Sequence, residues 1–260
     1  MFTEEKNGLK LLRFDIFREE PGLQCAVSTR QGGVSAGPFG GLNLGAGPRD
    51  DKRTLAKNLA LFCGAFGADP AKVATMRQRH TANVVVVDEG GGEPAENTDA
   101  LVTGKPWVPL ITRSADCALT AFYDREHRAL AVMHSGWRGA LMNIYSSVLN
   151  VMRLRFGTEP GDLAAAVSPM ISSAYYPVRE DFLEKLTAFY PEGEHLRFIT
   201  VKDGLHFFSL RELLRFQLDV LGIKKHEFMH LCTYEHKELF YSWRRDGAAT
   251  GHFALMAMLK

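Results

Sequence analysis

This 260-residue chain has little of what marks secreted, membrane-spanning or nucleic-acid-binding proteins. Its four cysteines, Cys25, Cys63, Cys117 and Cys232, are far apart in apolar surroundings, which favours reduced thiols over a disulfide framework. No apolar run approaches the length of a membrane span. The formal net charge of +1 gives no reason to expect nucleic acid or a membrane as a partner. These scarcities favour an ordinary globular protein.

The N-terminal residues are charged and lack the apolar core of a secretory signal, so we expect a cytoplasmic protein. Internal repeats, low-complexity tracts and linkers are also missing. An apolar fraction of 46% and a charged fraction of 23% are typical of a globular chain that can bury a large core. We therefore expect residues 1–260 to form one mixed α/β (α+β) domain, with central β-sheets flanked by helices.

Short runs rich in β-branched and apolar residues dominate the first half and predict strands. The predicted strands are 11–17, 23–28, a buried strand 84–87, and then four consecutive strands at 99–103, 108–112, 117–123 and 129–134. Glycines and a proline predict a loop over residues 32–47.

Three segments have apolar residues at helical spacing. The first runs from a cap at Asp50 or Asp51 to about Phe66, with Gly64 or Gly67 near its end. The second covers residues 139–156 and stops at Gly157. The third covers residues 209–221, with Ser209 and Glu212 in capping-box register.

The glycine-rich loop lacks the Gly-Lys-Ser or Gly-Lys-Thr ending of a phosphate-binding P-loop and does not follow the dinucleotide-binding pattern. Arg30, just before it, carries a planar guanidinium suited to bidentate contact with phosphate. Asn43 offers both a donor and an acceptor to a substrate, although an Asn at such a position also serves simply to hold a turn. Arg30 and Asn43 are our candidate substrate-binding residues here.

His80, Cys117 and His134 are the strongest candidate metal ligands, because two imidazoles and one thiol hold zinc with a fourth position open for water or substrate. They are too widely spaced for a compact zinc module, so only a folded sheet brings them together. The alternative is structural: a lone buried Cys often acts as a small hydrophobe, and a His at a strand end is often simply hydrogen-bonded. His230, Cys232 and His236 form a second, weaker candidate cluster, which core alternation in a strand over 228–233 also explains.

Several motifs occur in an order that resembles the YfiH/YlmD laccase-domain family. They are Ser28-Thr29-Arg30-Gln31-Gly32-Gly33-Val34-Ser35, Asn43-Leu44-Gly45, Gln78-Arg79-His80, Ala115-Asp116-Cys117, His134-Ser135-Gly136-Trp137-Arg138-Gly139 and Ser242-Trp243-Arg244-Arg245-Asp246-Gly247. The resemblance implies a YfiH-like fold and zinc ligands at His80, Cys117 and His134. The chain departs from the family pattern at Ser135, at Ser168-Pro169-Met170-Ile171 and at Gly251-His252, and these departures bear on substrate detail.

Members of that family are described as purine nucleoside phosphorylases that also deaminate adenosine, and older names call them polyphenol oxidases. The resemblance therefore implies a zinc-dependent enzyme in which His80, Cys117 and His134 are catalytic. Its substrates would be phosphate and a purine nucleoside such as adenosine, inosine, guanosine or methylthioadenosine. Arg138 is a further candidate for binding substrate, although Arg138 and Arg245 can equally pair with a carboxylate such as Asp116. Trp137 stacks on a base or packs beside its turn.

Two other enzyme classes stay open. Cys117 and His134 can form the thiolate–imidazolium pair of a thiol hydrolase or deamidase, and the family resembles in fold the catalytic part of cytotoxic necrotizing factor deamidases. Copper-dependent phenol oxidation is the other class. Multicopper chemistry commonly uses His-x-His pairs, and none of the nine histidines forms one. We therefore expect copper only by exchange for zinc, because copper binds N and S ligands more tightly. The oligomeric state is left open.

Overall fold

The computed structural model describes residues 1–45 and 50–260. In chain order its strands are β1 (Phe2–Lys6), β2 (Leu9–Arg13), β3 (Leu23–Ser28), β4 (Val84–Val86), β5 (Ala100–Thr103), β6 (Leu110–Ser114), β7 (Ala118–Asp124), β8 (Ala129–Ser135), β9 (Leu163–Val167), β10 (Pro177–Val178), β11 (Ile199–Lys202), β12 (Leu205–Phe208), β13 (Lys225–Phe228) and β14 (Phe253–Leu259). The helices are α1 (Lys52–Phe66), α2 (Trp137–Leu141), α3 (Ile144–Phe156), α4 (Glu180–Phe189), α5 (Leu210–Val220) and α6 (Trp243–Asp246). Within these residues, no helix combines the length and apolar character needed to cross a membrane.

Two large sheets form the centre of the molecule. The first has the strand order β1-β2-β3-β14-β6 and is antiparallel throughout. The second has the order β13-β9-β7-β8-β5-β4, with parallel pairs only at its two ends. A small third sheet has the order β10-β12-β11, and its Phe208 belongs to the apolar cluster that covers the second sheet.

Apolar side chains divide the molecule into layers. One cluster joins the facing sides of the two large sheets and includes Val27 and Leu119. A second fills the space between the second sheet and α2, α3 and α5, and a third lies between the first sheet and α1. Strands β7 and β8 are buried along their whole length because both of their faces are covered. The expected mixed α/β domain, with central sheets flanked by helices, is confirmed.

The capping residues of α1 and α5 were predicted correctly. The Asp51 side chain accepts a hydrogen bond from the Thr54 backbone N–H, and Gly67 ends α1 in the left-handed conformation. Ser209 caps α5 by accepting from the Glu212 backbone N–H. The Glu212 side chain pairs with Arg215, so the reciprocal half of the predicted capping box is not formed.

The single helix predicted over residues 139–156 is wrong. The structure has two helices there, α2 and α3, separated by Met142 and Asn143. Asn143 adopts a left-handed backbone conformation (φ 53°), and its side-chain oxygen accepts from the Ser146 backbone N–H. The apolar periodicity continues across the break because both helices pack on the same sheet, so periodicity alone hides it.

Two strand predictions need correction. The strand expected over 11–17 ends at Arg13, and a short 3-10 helix, Asp15–Phe17, follows it. The strand at Val84–Val86 is an edge strand rather than a buried one, and Val85 is partly exposed. The four consecutive strands predicted between residues 99 and 134 are present as β5 to β8, and they are divided between the two sheets, because β6 belongs to the first and β5, β7 and β8 to the second. Residues 32–45 of the predicted loop contain no long element, and its last two residues lie outside the described part of the chain.

Candidate metal centre

His80, Cys117 and His134 come together in space. One nitrogen of each histidine and the Cys117 sulfur all lie within 4.8 Å of one another. The two imidazole rings meet edge to face, with their centroids 4.9 Å apart. The fold thus gathers the three side chains that the sequence singled out as metal ligands.

Two of the three lie where the backbone changes direction. Cys117 follows the segment in which the chain crosses from β6 in the first sheet to β7 in the second. The preceding residue, Asp116, has a φ of 112°, and His80 has a φ of 59° in the turn before β4. Non-glycine residues rarely adopt such angles, and they concentrate at functional sites. His134, in contrast, lies on β8, which is regular and fully buried.

Asp99 supports this cluster, and our sequence analysis missed its role. Its carboxylate is completely buried and accepts a hydrogen bond from His134 Nδ1 at 2.9 Å. It also accepts from the backbone N–H groups of Arg79, His80 and Thr81 at 2.8 to 3.1 Å. Because His134 Nδ1 is engaged, its Nε2 is the atom left to bind a metal. The signal in the sequence is a carboxylate directly before the apolar run of β5.

The electrostatics of the cluster are shaped by burial. Burial, followed by the nearby charge of His134, lowers the pKa of His80 to about 4, which keeps that imidazole neutral. Burial alone would raise the pKa of Asp99, but the hydrogen bonds from His134 and the backbone outweigh it and hold the pKa at about 2. Burial likewise opposes a charge on His134, yet the neighbouring Cys117 and Asp99 raise its pKa to about 9. Of the two histidines, His134 is therefore the one that holds a proton more readily.

Two observations show that these residues fit a bound metal ion. Within the described part of the chain, the buried Nδ1 atom of His80 has no hydrogen-bond partner, which is costly unless it has a ligand. Gly136 leaves the space next to it open: a Cβ there would lie 2.5 Å from His80 Nδ1 and 3.0 Å from Cys117 Sγ. A thiolate and two imidazoles suit zinc or copper, and three protein ligands leave a coordination position open.

The cluster opens into a cleft of about 930 Å³ that also contains Tyr176, Trp243 and four arginines, which are Arg77, Arg79, Arg113 and Arg244. Arg77 pairs with Glu96 at 2.7 Å, whereas the described residues provide no ion pair for the other three. Asp116 also lines the cleft, and its carboxylate accepts from Thr233 Oγ1 and the Arg244 backbone N–H, both at 2.7 Å. The cleft therefore carries excess positive charge.

Arg30 and Asn43 do not line this cleft. The Arg30 guanidinium donates to the carbonyls of Lys237 and Gly40 and lies over the Tyr241 ring, in a separate cavity of about 710 Å³. Asn43 is buried, and its side-chain oxygen accepts from the backbone of Gly45 and His252. These contacts are those of residues that hold loops together.

The structure leaves Arg138 and Arg245 in different situations. Arg138 is exposed, lies over the ring of Trp137, and has no ion pair within the described chain. Arg245 lies beside Arg30 and donates to Asp246 and to the carbonyls of Thr233, Tyr234 and Phe240. No hydrogen bond joins Asp116 to either of these two arginines. Trp137 packs edge to face on Phe182 and also lines the cleft.

The second candidate cluster does not form a common site. His230 contacts Arg211, Cys232 accepts from the Ser172 backbone N–H, and His236 lies beside Glu238. The strand that the sequence suggested over 228–233 ends at Phe228. All four cysteines are free, as expected.

Comparison with known proteins agrees with this architecture. Residues 24–260 match the family model described as multi-copper polyphenol oxidoreductase laccase. The chain is 34% identical to a purine nucleoside phosphorylase of Deinococcus radiodurans, over 94% of this chain and 90% of that protein. It is 30% identical to the purine nucleoside phosphorylase YlmD of Bacillus subtilis, over 87% of this chain and 85% of that one. The crystal structure of the hypothetical protein YfiH from Bacillus licheniformis superimposes with a TM-score of 0.90 at 27% identity and covers 99% of both chains. The chain therefore belongs to the multi-copper polyphenol oxidoreductase laccase family, of which the YfiH/YlmD resemblance was the first sign.

Proposed function

We propose that this protein is a zinc-dependent purine nucleoside phosphorylase that also deaminates adenosine. The observation that carries the proposal is the buried, unpartnered Nδ1 of His80 beside Cys117 and His134, at the wall of a cleft rich in arginine. Support also comes from the similarity to proteins named purine nucleoside phosphorylase. Adenosine, inosine, guanosine and methylthioadenosine are the candidate nucleosides, and the cytoplasm is the expected compartment.

The cleft offers groups for each part of a nucleoside. Trp243 and Tyr176 present ring surfaces on which a purine base can stack. Arg79 and Arg244 bring positive charge without a carboxylate partner and therefore attract phosphate. A site that binds base and anion together holds phosphate close to the ribose.

In phosphorolysis the bond between C1′ and N9 breaks, and a phosphate oxygen forms a bond to C1′. The products are ribose 1-phosphate and the free purine, whose departing nitrogen takes up a proton. When bound, zinc supplies Lewis acidity, which polarises substrate atoms and lowers the pKa of bound water. Asp99 contributes by fixing the orientation of His134 and the turn that carries His80. Arg79 and Arg244 stabilise the phosphate as charge redistributes.

The test is product analysis on protein purified without added metal. Its metal content is measured first, and the protein is then incubated with adenosine or inosine, with and without phosphate. We expect about one zinc per chain by the ligand count, ribose 1-phosphate only when phosphate is present, and inosine from adenosine without phosphate. Full zinc occupancy with neither product would reject the proposal.

One observation favours a second candidate, a thiol hydrolase or deamidase. Cys117, His134 and Asp99 stand in the relation of nucleophile, base and orienting carboxylate. Replacing Cys117 with Ala separates the two functions. Loss of zinc together with nucleoside turnover supports the metal enzyme, whereas retention of zinc with loss of turnover supports the nucleophile.

Copper-dependent oxidation of phenols is less well supported. The described residues contain a single cluster with two imidazoles and a thiol, and the other cluster of potential ligands has one histidine and two carboxylates. We therefore treat copper as a substitute for zinc at the same three ligands.

A further inference from the structure

Arg113 is a half-buried cation with no partner among the residues that the structure describes. Its strand position is fixed by Gln78, whose side chain accepts from the Arg113 backbone N–H at 3.0 Å and donates to its carbonyl at 2.8 Å. The guanidinium, in contrast, makes no hydrogen bond or ion pair with any part of the chain that the structure describes. Its Nε atom is fully buried without a partner. The N–H donors of the Arg113 guanidinium thus find no acceptor among the described residues.

A buried charge without a counter-ion destabilises a folded protein, so buried arginines are ordinarily paired. Burial lowers the pKa of Arg113 to about 10, which still leaves the group charged at neutral pH. The charge is therefore kept and not removed by loss of a proton. An anion that enters from solvent would satisfy both the charge and the unused donors.

The surroundings of Arg113 admit such an anion. Arg113 lines the same cleft as Cys117, at the end of β6 where the chain crosses towards the metal ligands. The carboxylate of Asp116 is already engaged by Thr233 and the Arg244 backbone, so it does not neutralise Arg113. Arg77 in the same cleft differs, because Glu96 pairs with it. Arg113 is half-buried and has unused donors, whereas the other three arginines of this cleft are exposed.

We propose that Arg113 anchors an oxyanion subsite in the cleft and that its occupant is inorganic phosphate. This deepens the proposed function, on which it rests, by naming a phosphate-binding residue. A planar guanidinium can donate two parallel hydrogen bonds to one phosphate, which an ammonium group cannot do. The same chemistry would accept the phosphoryl group of a nucleotide, so the test separates the two sources.

The experiment measures binding of inorganic phosphate to the zinc-loaded protein by calorimetry, without nucleoside. Four proteins are compared: wild type, Arg113→Met, Arg113→Lys and Arg77→Met. We expect Arg113→Met to weaken phosphate binding by a factor of about ten or more, as for a lost charge-assisted contact. Arg113→Lys should weaken it by a factor of about three, since it keeps the charge and loses the paired geometry. Arg77→Met removes a cation that Glu96 already neutralises, so this variant should bind phosphate like wild type.

Phosphate binding by Arg113→Met equal to that of wild type would overturn the proposal. If Arg113→Met does not fold, Arg113→Lys decides, and wild-type affinity in that variant would equally overturn it. A parallel titration compares adenosine 5′-monophosphate with adenosine. The measured quantity is the difference in affinity between the nucleotide and the nucleoside. If the Arg113 variants lose that difference in affinity but bind inorganic phosphate like wild type, the subsite belongs to a nucleotide and free phosphate is rejected.

The outcomes also separate this inference from the proposed function. Wild-type protein that binds phosphate through Arg113 but releases no ribose 1-phosphate keeps the subsite and rejects phosphorolysis. If the wild-type protein performs phosphorolysis and Arg113→Met has the same KM for phosphate, the proposed function stands and the Arg113 subsite is rejected.

Discussion

A single oxygen of Asp99 accepts hydrogen bonds from His134 Nδ1 at 2.9 Å and from the backbone N–H of His80 at 3.1 Å. The two histidines are far apart in the sequence, and this carboxylate orients one ring and positions the turn that carries the other. The positions of the two imidazoles are therefore linked.

We predict that Asp99→Asn weakens zinc binding about 10- to 100-fold, the usual effect of losing a carboxylate that orients a histidine ligand. The amide keeps the shape of the side chain, but it cannot accept all the hydrogen bonds that the carboxylate receives. Competition with a chromogenic chelator measures the affinity.

Asp124→Asn is the matched control. Asp124 is also fully buried and also accepts from a histidine, His127 Nδ1 at 2.8 Å, but it lies outside the cluster of His80, Cys117 and His134 and groups instead with His127 and Asp162. The Asp124→Asn substitution should lower the melting temperature and leave zinc affinity unchanged. Equal zinc affinity in both variants and wild type would remove Asp99 from the site.

Gly136→Ala should abolish zinc binding while the fold survives. Gly136 has a φ of −78°, which an alanine adopts without strain, so the added methyl group acts only through its contacts with His80 and Cys117. The measurement is zinc content after dialysis, with circular dichroism to verify folding. Gly161→Ala serves as the control, because a Cβ there meets no atom within 4 Å. Stoichiometric zinc in Gly136→Ala would show that the ligands do not converge on the space beside this glycine.

The break between α2 and α3 predicts a stability effect at Asn143. Asn143→Ala removes the cap and places a less suitable residue in the left-handed region, which should cost about 1–2 kcal/mol of unfolding free energy. Asn143→Gly also loses the cap but tolerates the conformation, so it should cost less. Urea unfolding measures both. A smaller loss for alanine than for glycine would contradict this account of the break.

His127 predicts a pH dependence of stability. Its hydrogen bond to Asp124 raises its pKa above the ordinary 6.5. Its contribution is therefore complete below the unfolded-state pKa and is lost as pH rises through the higher folded-state value. Wild type should exceed His127→Gln in unfolding free energy by more at about pH 5.5 than at about pH 9. A difference that stays constant or grows with pH would show that the protonated form is not the stabilised one.

The sequence was sufficient to predict that His80, Cys117 and His134 come together, as well as the caps of α1 and α5 and most strands of the second sheet. The caps and strands depend on local chemistry or on strong apolar runs, which a sequence displays directly, whereas the clustering of the three side chains followed from the family resemblance. The helix break at Asn143 was missed because apolar periodicity reports which face is buried and says nothing about continuity of the backbone.

The support from Asp99 and the unpaired state of Arg113 were not predictable in this way. Both depend on which strands become neighbours, and β5 and β6 lie in different sheets although they are adjacent in the sequence. Arg30 shows that a distinctive motif does not by itself place a residue in the metal cleft. Its guanidinium donates to the carbonyls of Gly40 and Lys237 and lies in a separate cavity.

The position of β14 has a consequence for folding. This strand lies in the interior of the first sheet, between β3 and β6, although both neighbours come from the first half of the chain. Pairings between such distant segments form slowly, and until β14 is in place the facing edges of β3 and β6 are open to pairing with other chains. Because β6 leads directly into the segment that carries Cys117, metal added early in refolding would meet incomplete sites, and aggregation would compete with their assembly.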